Sequence, residues 1–198
     1  MPAKTHNRPS RKLRPIAQPS PAAPKSPPPP VAIVVSRYNR TVTDKLLHGA
    51  VREYARAGGY AESLVIVNAP GAFELTALCH AAAHAEGIAG VVALGCIIKG
   101  ETRHDRYLAD AVANGLTAVT LQTGIPVAFG VLTVDSPKQA LARAGGEHGN
   151  KGEEAMAALL DTIAEIRRLH EGVGGPASSR ALTDKVARAA KRTSRKAR

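Results

Sequence analysis

Val31-Ala32-Ile33-Val34-Val35 follows directly on Pro27-Pro28-Pro29-Pro30 and contains no polar side chain. A strand with one wet face alternates apolar and polar residues, whereas a strand buried on both faces reads as an unbroken aliphatic run. The run therefore predicts a strand inside a parallel sheet. Such a sheet needs crossover helices, and the next segment supplies one. Leu46, Leu47, Ala50, Val51 and Tyr54 recur at helical spacing within 41–57, and Gly58-Gly59 ends the pattern. The order then repeats: Leu64-Val65-Ile66-Val67 reads as a strand, 73–85 as a helix ended by Gly87, and 90–98 as a strand. A helix over 104–121, a strand over 127–134 after Pro126, a short helix over 137–144 and a last helix over 153–170 complete the series. Alternation of this kind predicts an α/β fold, a parallel sheet with helices on both faces. Its ligand-binding loops should follow the strands.

Outside this frame the composition changes. The chain has 198 residues, a formal charge of +11, only 3% aromatic residues and no Trp, so aliphatic residues and Ala must do the packing. Ten of the 14 prolines lie in 1–30, together with Lys4, Arg8, Arg11, Lys12, Arg14 and Lys25 and no acidic residue. Residues 171–198 hold eight basic residues against Glu171 and Asp184. Each terminal segment therefore carries +6, which leaves −1 for 31–170. The basicity belongs to the tails, so nucleic acid or another polyanion would be bound by the tails and not by a groove in the fold. The organisation expected is a Pro-rich, basic, disordered tail over 1–30, a folded domain over 31–170 and a second basic, mostly disordered tail over 171–198. Within the second tail, Leu182, Val186 and Ala190 offer a thin apolar face to a helix formed on contact.

Several classes of protein are excluded. Cys79 and Cys96 lie in apolar runs with neither the number nor the spacing of a disulfide framework or a zinc site, so they read as buried thiols in a reducing compartment. Residues 1–30 contain no apolar signal-peptide core. The uncharged stretch 111–134 is interrupted by Asn114, Gln122 and Gly124-Ile125-Pro126, which divides it into a helix and a strand and rejects a membrane span. Neither G-x-x-x-x-G-K-[ST] nor G-x-G-x-x-G occurs, which weakens ATP and dinucleotide readings. His80 and His84 stand four apart without a third ligand or an H-E-x-x-H motif, so they read as surface histidines and no metal is expected.

Three loops that follow strands carry the candidate chemistry. In Lys99-Gly100-Glu101-Thr102-Arg103-His104, Gly100 lets backbone amides approach a ligand, Thr102 offers a hydroxyl and His104 opens a helix, an arrangement suited to an anion. The dipole of a helix start is worth only about 0.3–1 kcal/mol per charge, so a phosphate there needs a cation, for which Arg143 and Lys151 are candidates. His104 is either a proton carrier or a helix-start residue facing water. Tyr38, in Ser36-Arg37-Tyr38-Asn39, either presents a flat face to a heteroaromatic ring or packs as a half-buried staple. Phe73 and Glu74, in Asn68-Ala69-Pro70-Gly71-Ala72-Phe73-Glu74, are either ligand contacts or helix-start packing and a first-turn carboxylate.

Taken together, Tyr38-Asn39, the 70–74 segment Pro-Gly-Ala-Phe-Glu, the 95–104 segment Gly-Cys-Ile-Ile-Lys-Gly-Glu-Thr-Arg-His, the 126–130 segment Pro-Val-Ala-Phe-Gly, and Arg143-Ala144-Gly145 with Gly149-Asn150-Lys151-Gly152 resemble the 6,7-dimethyl-8-ribityllumazine synthases. The resemblance covers about 31–169, in order and without insertion. It implies a three-layer flavodoxin-like subunit and a cytoplasmic homopentamer with active sites between neighbours. The implied reaction condenses 5-amino-6-(D-ribitylamino)uracil with 3,4-dihydroxy-2-butanone 4-phosphate, the penultimate step of riboflavin synthesis, with no cofactor. By the same resemblance, Tyr38 stacks on the pyrimidine, while the backbone around Asn39, Ala72 and Phe73, with the Glu74 carboxylate, holds the ribityl chain. Ile97 and Ile98 contact the ring. Gly100, Glu101 and Thr102, joined by Arg143, hold the phosphate, and His104 moves protons. Phe129 and Lys151 match residues that come from the adjacent subunit.

Tyr38 stands where the family usually has Phe or Trp, and the Glu101 side chain should point away from the phosphate. The short connection 145–149 resembles that of relatives in which twelve pentamers close into a sixty-subunit icosahedral shell, and riboflavin synthase is a further associated protein that the resemblance implies. Two readings compete with the enzyme. One is a shell-forming scaffold whose tails bind polyanions or cargo. The other is a lumazine- or flavin-binding relative without catalysis, which would have no use for a phosphate site.

Overall fold

The aliphatic run at 31–35 becomes β1 (Val31–Ser36), in which all six residues are buried. In the computed structural model, which describes residues 27–171, β1 lies between β2 (Leu64–Ala69) and β3 (Val91–Ile98), and β3 pairs in turn with β4 (Val127–Val134). All pairings are parallel, with Val31 opposite Leu64, Ala32 opposite Val91 and Val91 opposite Val127. The order β2-β1-β3-β4 is that of a flavodoxin-like sheet. The two central strands are the most apolar because helices cover both their faces. The outer strands are less protected: Val65 and Ile66 of β2 and Phe129 of β4 are each about half exposed.

The pleat sorts the core into two layers. Val31, Ile33, Val35, Val92, Leu94 and Cys96 pack with α1 (Arg40–Arg56) and α5 (Lys151–His170), largely through Leu46, Tyr54, Met156 and Leu159. The alternate residues Ala32, Val34, Val91, Ala93 and Ile97 pack with α2 (Leu75–Ala83) and α3 (His104–Thr123) through Leu75, Cys79, Val112 and Leu116. Helices therefore cover both faces. Gly124, at φ 71, stops α3 and lets the chain turn into β4, so the uncharged stretch 111–134 divides into helix and strand as expected.

The contact between α1 and α5 leaves no room for side chains at two points. A Cβ on Gly152 would lie 2.0 Å from the Leu46 carbonyl oxygen, and one on Gly49 would lie 2.3 Å from Asn150 Oδ1. Asn150 Oδ1 accepts the N–H groups of Gly152 and Glu153 at 2.9 and 3.2 Å, while its Nδ2 donates to the Lys45 carbonyl at 2.8 Å. The cap of α5 thus also ties that helix to α1. This cap starts α5 at Lys151, two residues before the position expected from apolar spacing. Likewise α2 begins at Leu75 and not at 73, because residues 70–74 form a turn ahead of it.

A short antiparallel ladder, β5 (Ala144–Gly146) with β6 (Gly149–Asn150), follows α4 (Pro137–Arg143). Its left-handed Gly145 and Gly149 replace the plain connection read from sequence. At the start of the domain, the Tyr54 hydroxyl donates to the Pro29 carbonyl at 2.9 Å, and the Ala89 N–H donates to that of Pro30 at 2.9 Å. The readings of 1–26 and 172–198, including the Leu182, Val186 and Ala190 face, lie outside the described residues.

Both cysteines are buried and unpaired. Burial raises the Cys79 thiol to about 12 and that of Cys96 to about 11. Thiolate reagents at pH 8 should therefore leave both untouched in the native protein and modify both once it is unfolded in denaturant. The folded state keeps these protons when the unfolded chain loses them. The two thiols therefore contribute a loss of stability as pH rises from about 9 toward about 11 for Cys96 and about 12 for Cys79. Rapid native labelling at pH 8 would contradict this burial.

Candidate active site

The loops that leave β1, β2 and β3 emerge at the same edge of the sheet. In the first, Ser36 Oγ accepts the Tyr38 N–H at 3.2 Å. Asn39 then takes φ 61 and ψ 44, and it is the only non-glycine residue with positive φ among the described residues. Asparagine tolerates this left-handed conformation better than most residues. Its Nδ2 donates to the Cys96 carbonyl at 2.9 Å, which ties the loop to β3. Its own carbonyl accepts the N–H groups of Val42 and Thr43 at the start of α1. Tyr38, held between these two anchors, is 70% exposed and so is not a half-buried staple.

In the second loop Ala72 is buried and Phe73 is 64% exposed. A Cβ on Gly71 would lie 2.9 Å from Glu74 Oε2, so the glycine leaves space for that carboxylate. In the third loop the Lys99 N–H donates to the Val134 carbonyl at 2.8 Å, and Thr102 Oγ1 accepts the His104 N–H at 3.4 Å. A Cβ on Gly100 would meet nothing within 4 Å, so its backbone is open to a ligand.

These segments enclose one cavity of about 840 Å³. The first loop contributes Tyr38 and Asn39, the second Ala72, Phe73 and Glu74, the end of β3 Ile97 and Ile98, and the third Gly100, Thr102 and His104. Apolar lining with a few polar groups at the carboxyl ends of parallel strands is the usual form of a small-molecule site in this architecture. Glu101 is exposed and lies outside the lining.

Three of the residues picked out from sequence are elsewhere. Phe129, Arg143 and Lys151 border a second concavity of about 530 Å³ along β4 and α5. Arg143, read from sequence as joining the phosphate loop, does not border the first cavity; its guanidinium donates to Gln139 within its own helix. Lys151 pairs with Glu154. These three residues lie along the edge strand β4 and the helices that follow it, whereas the first cavity is built by the loops after β1, β2 and β3.

Gly71, Cys96, Lys99, Asp105 and Leu108 also line the first cavity, although the sequence assigned none of them a role there. The signal for Lys99 was its place directly before Gly100. Asp105 was masked by its position, since a first-turn carboxylate is ordinary at a helix start. His80 and His84 are exposed with ring centroids 4.5 Å apart, and among the described residues no group of three or more potential ligands exists. Among the same residues no helix is long and apolar enough to cross a membrane.

Fold and cavity together define a flavodoxin-like α/β domain with a cavity that pairs an exposed aromatic face with a glycine-bearing, helix-opening loop. Residues 29–167 match the sequence model of the family described as 6,7-dimethyl-8-ribityllumazine synthase. The 6,7-dimethyl-8-ribityllumazine synthase 1 of Caulobacter vibrioides is 46% identical over 144 residues, which cover 73% of this chain and 94% of the relative. The 6,7-dimethyl-8-ribityllumazine synthases of Xanthomonas campestris pv. campestris and Nitratidesulfovibrio vulgaris are 44% and 42% identical, over 85% and 88% of their lengths and 66% and 70% of this chain. The chain belongs to the 6,7-dimethyl-8-ribityllumazine synthase family.

Proposed function

We propose that this protein is a transferase that condenses 5-amino-6-(D-ribitylamino)uracil with 3,4-dihydroxy-2-butanone 4-phosphate. The products are 6,7-dimethyl-8-ribityllumazine, phosphate and two waters. The observation that carries the reading is the convergence of Tyr38, Glu74, Gly100, Thr102 and His104 on one cavity, in a chain whose relatives bear the product's name. The ring of the pyrimidine stacks on Tyr38 against Ile97 and Ile98. Its ribityl chain is held by the Glu74 carboxylate and the backbone around Asn39, Ala72 and Phe73. The phosphate is held by the amides at Gly100 and Glu101 and the Thr102 hydroxyl, which holds the butanone carbonyl against the pyrimidine amine.

The amine attacks that carbonyl, and imine formation expels the first water. Phosphate leaves as the chain rearranges, and ring closure onto the second carbonyl expels the other water. His104 carries protons in these steps. Holding amine against carbonyl supplies much of the acceleration, since proximity alone can remove up to ~7–11 kcal/mol of barrier. A His104→Gln variant should therefore be slowed by on the order of 10²-fold in single turnover, with residual activity well above the uncatalysed rate. An unchanged single-turnover rate would remove His104 from the mechanism. The activity itself is tested by mixing the protein with both substrates and following the absorbance and fluorescence of the lumazine.

The domain over 31–170 works in the cytoplasm as a homopentamer in which the Phe129, Arg143 and Lys151 concavity of one subunit completes the cavity of the next. Their separation from the first cavity within one chain supports this arrangement, and it assigns Arg143 to the neighbour's phosphate. Twelve pentamers close into an icosahedral shell. Light scattering should give a particle far above pentamer mass; a species at pentamer mass would exclude the shell, and an active monomer would exclude the shared site.

A further inference from the structure

We infer that the Lys99 ammonium is the subunit's own cation for the phosphate of the butanone substrate, an assignment that rests on the function proposed above. A phosphate ester brings close to two negative charges, and the amides and hydroxyl of residues 100–102 carry none to offset them. Two carboxylates, Glu74 and Asp105, border the same cavity. Arg143, the cation expected from sequence, borders the other concavity and, in the pentamer proposed above, serves a phosphate only across the subunit boundary. Among the described residues that line the first cavity Lys99 is the only lysine or arginine.

Its placement suits the task. Lys99 directly follows Ile98, the last residue of β3, whose register partner is Val134, and its N–H is bonded to the carbonyl of that residue. The base of the side chain is thus fixed at the end of the sheet, immediately ahead of the loop that receives the phosphate. Among the described residues Lys99 takes part in no ion pair, so its charge is not already spent on a carboxylate. Arg103, the other cation in this loop, lies outside the cavity lining. A flexible ammonium also suits a group that must be released in the reaction, since Lys acts as a mobile point charge where Arg forms a rigid fork.

The test compares the wild-type protein with Lys99→Gln and Lys99→Arg. The glutamine variant should raise KM for the butanone phosphate by about 10-fold, while KM for the pyrimidine stays within about twofold. The inhibition constant of inorganic phosphate should rise in parallel, and Lys99→Arg should restore both values. A uniform loss of kcat with no change in phosphate inhibition would overturn the assignment, as would an unchanged KM for the butanone phosphate. Calorimetric titration of wild-type and Lys99→Gln proteins with inorganic phosphate needs no turnover. If the wild-type protein makes no lumazine, the proposed activity fails, and equal phosphate affinity in the two proteins would then overturn Lys99 separately.

Discussion

Gly152→Ala should lower the stability of the folded domain by about 3 kcal/mol and its melting temperature by roughly 10 °C. The added carbon would stand 2.0 Å from the Leu46 carbonyl oxygen and 2.6 Å from its carbon. Both are backbone atoms of α1, so no rotamer change relieves the contact and the two helices must separate. Separation pulls Asn150 away from the Lys45 carbonyl, so the tie between the helices weakens in the same step. Against a total stability of only about 5–15 kcal/mol, such a loss is large. Thermal unfolding followed by circular dichroism would read it, with Gly100→Ala as a control for which no shift is expected because nothing lies within 4 Å. A Gly152→Ala protein that melts with the wild type would mean that α1 and α5 are not in close contact.

Asn39→Asp should have the largest effect on activity for the smallest change of shape. It puts an acceptor oxygen where Nδ2 now donates to the Cys96 carbonyl, so an attractive contact becomes a repulsive one. The expected cost is about 1–3 kcal/mol in stability. The first loop should also shift, and since a displacement of ~1 Å can cost about 10²-fold in rate, kcat/KM should fall by that order. Asn39→Gly separates the two duties of this residue: it takes φ 61 without strain but cannot donate. It should therefore fold more stably than the aspartate variant while remaining impaired in pyrimidine binding. Wild-type kinetics in both variants would show that the tether to β3 does not position Tyr38.

The sheet was legible because its central strands are buried on both faces and so appear as aliphatic runs too dense for any surface segment. The edge position of β2 was not: Leu64-Val65-Ile66-Val67 reads like a central strand, yet two of its residues are half exposed. The β5 and β6 ladder escaped notice because strands of three and two residues are too short to display alternation. The start of α5 was placed late because its limits were read from apolar spacing alone, which does not register the Asn150 cap. At the site, loops after β1, β2 and β3 were legible from strand order alone, since parallel strands deliver their following loops to one edge. The separation of Arg143 from Gly100 was not, because residue types record what a phosphate needs and not which side of β4 supplies it. Lys99 was hidden for a related reason: a lysine at a strand end is ordinary until its neighbours show that it borders a cavity.

The bond from Tyr54 to the Pro29 carbonyl fixes where the chain at 28–30 enters the domain. It holds the chain at the amino end of β1, whereas Tyr38 and the cavity lie beyond the carboxyl end of that strand. Six residues of strand put roughly 20 Å between the two. A fluorophore attached at position 28 therefore sits at the end of β1 opposite the cavity, a strand's length from the place where substrates bind.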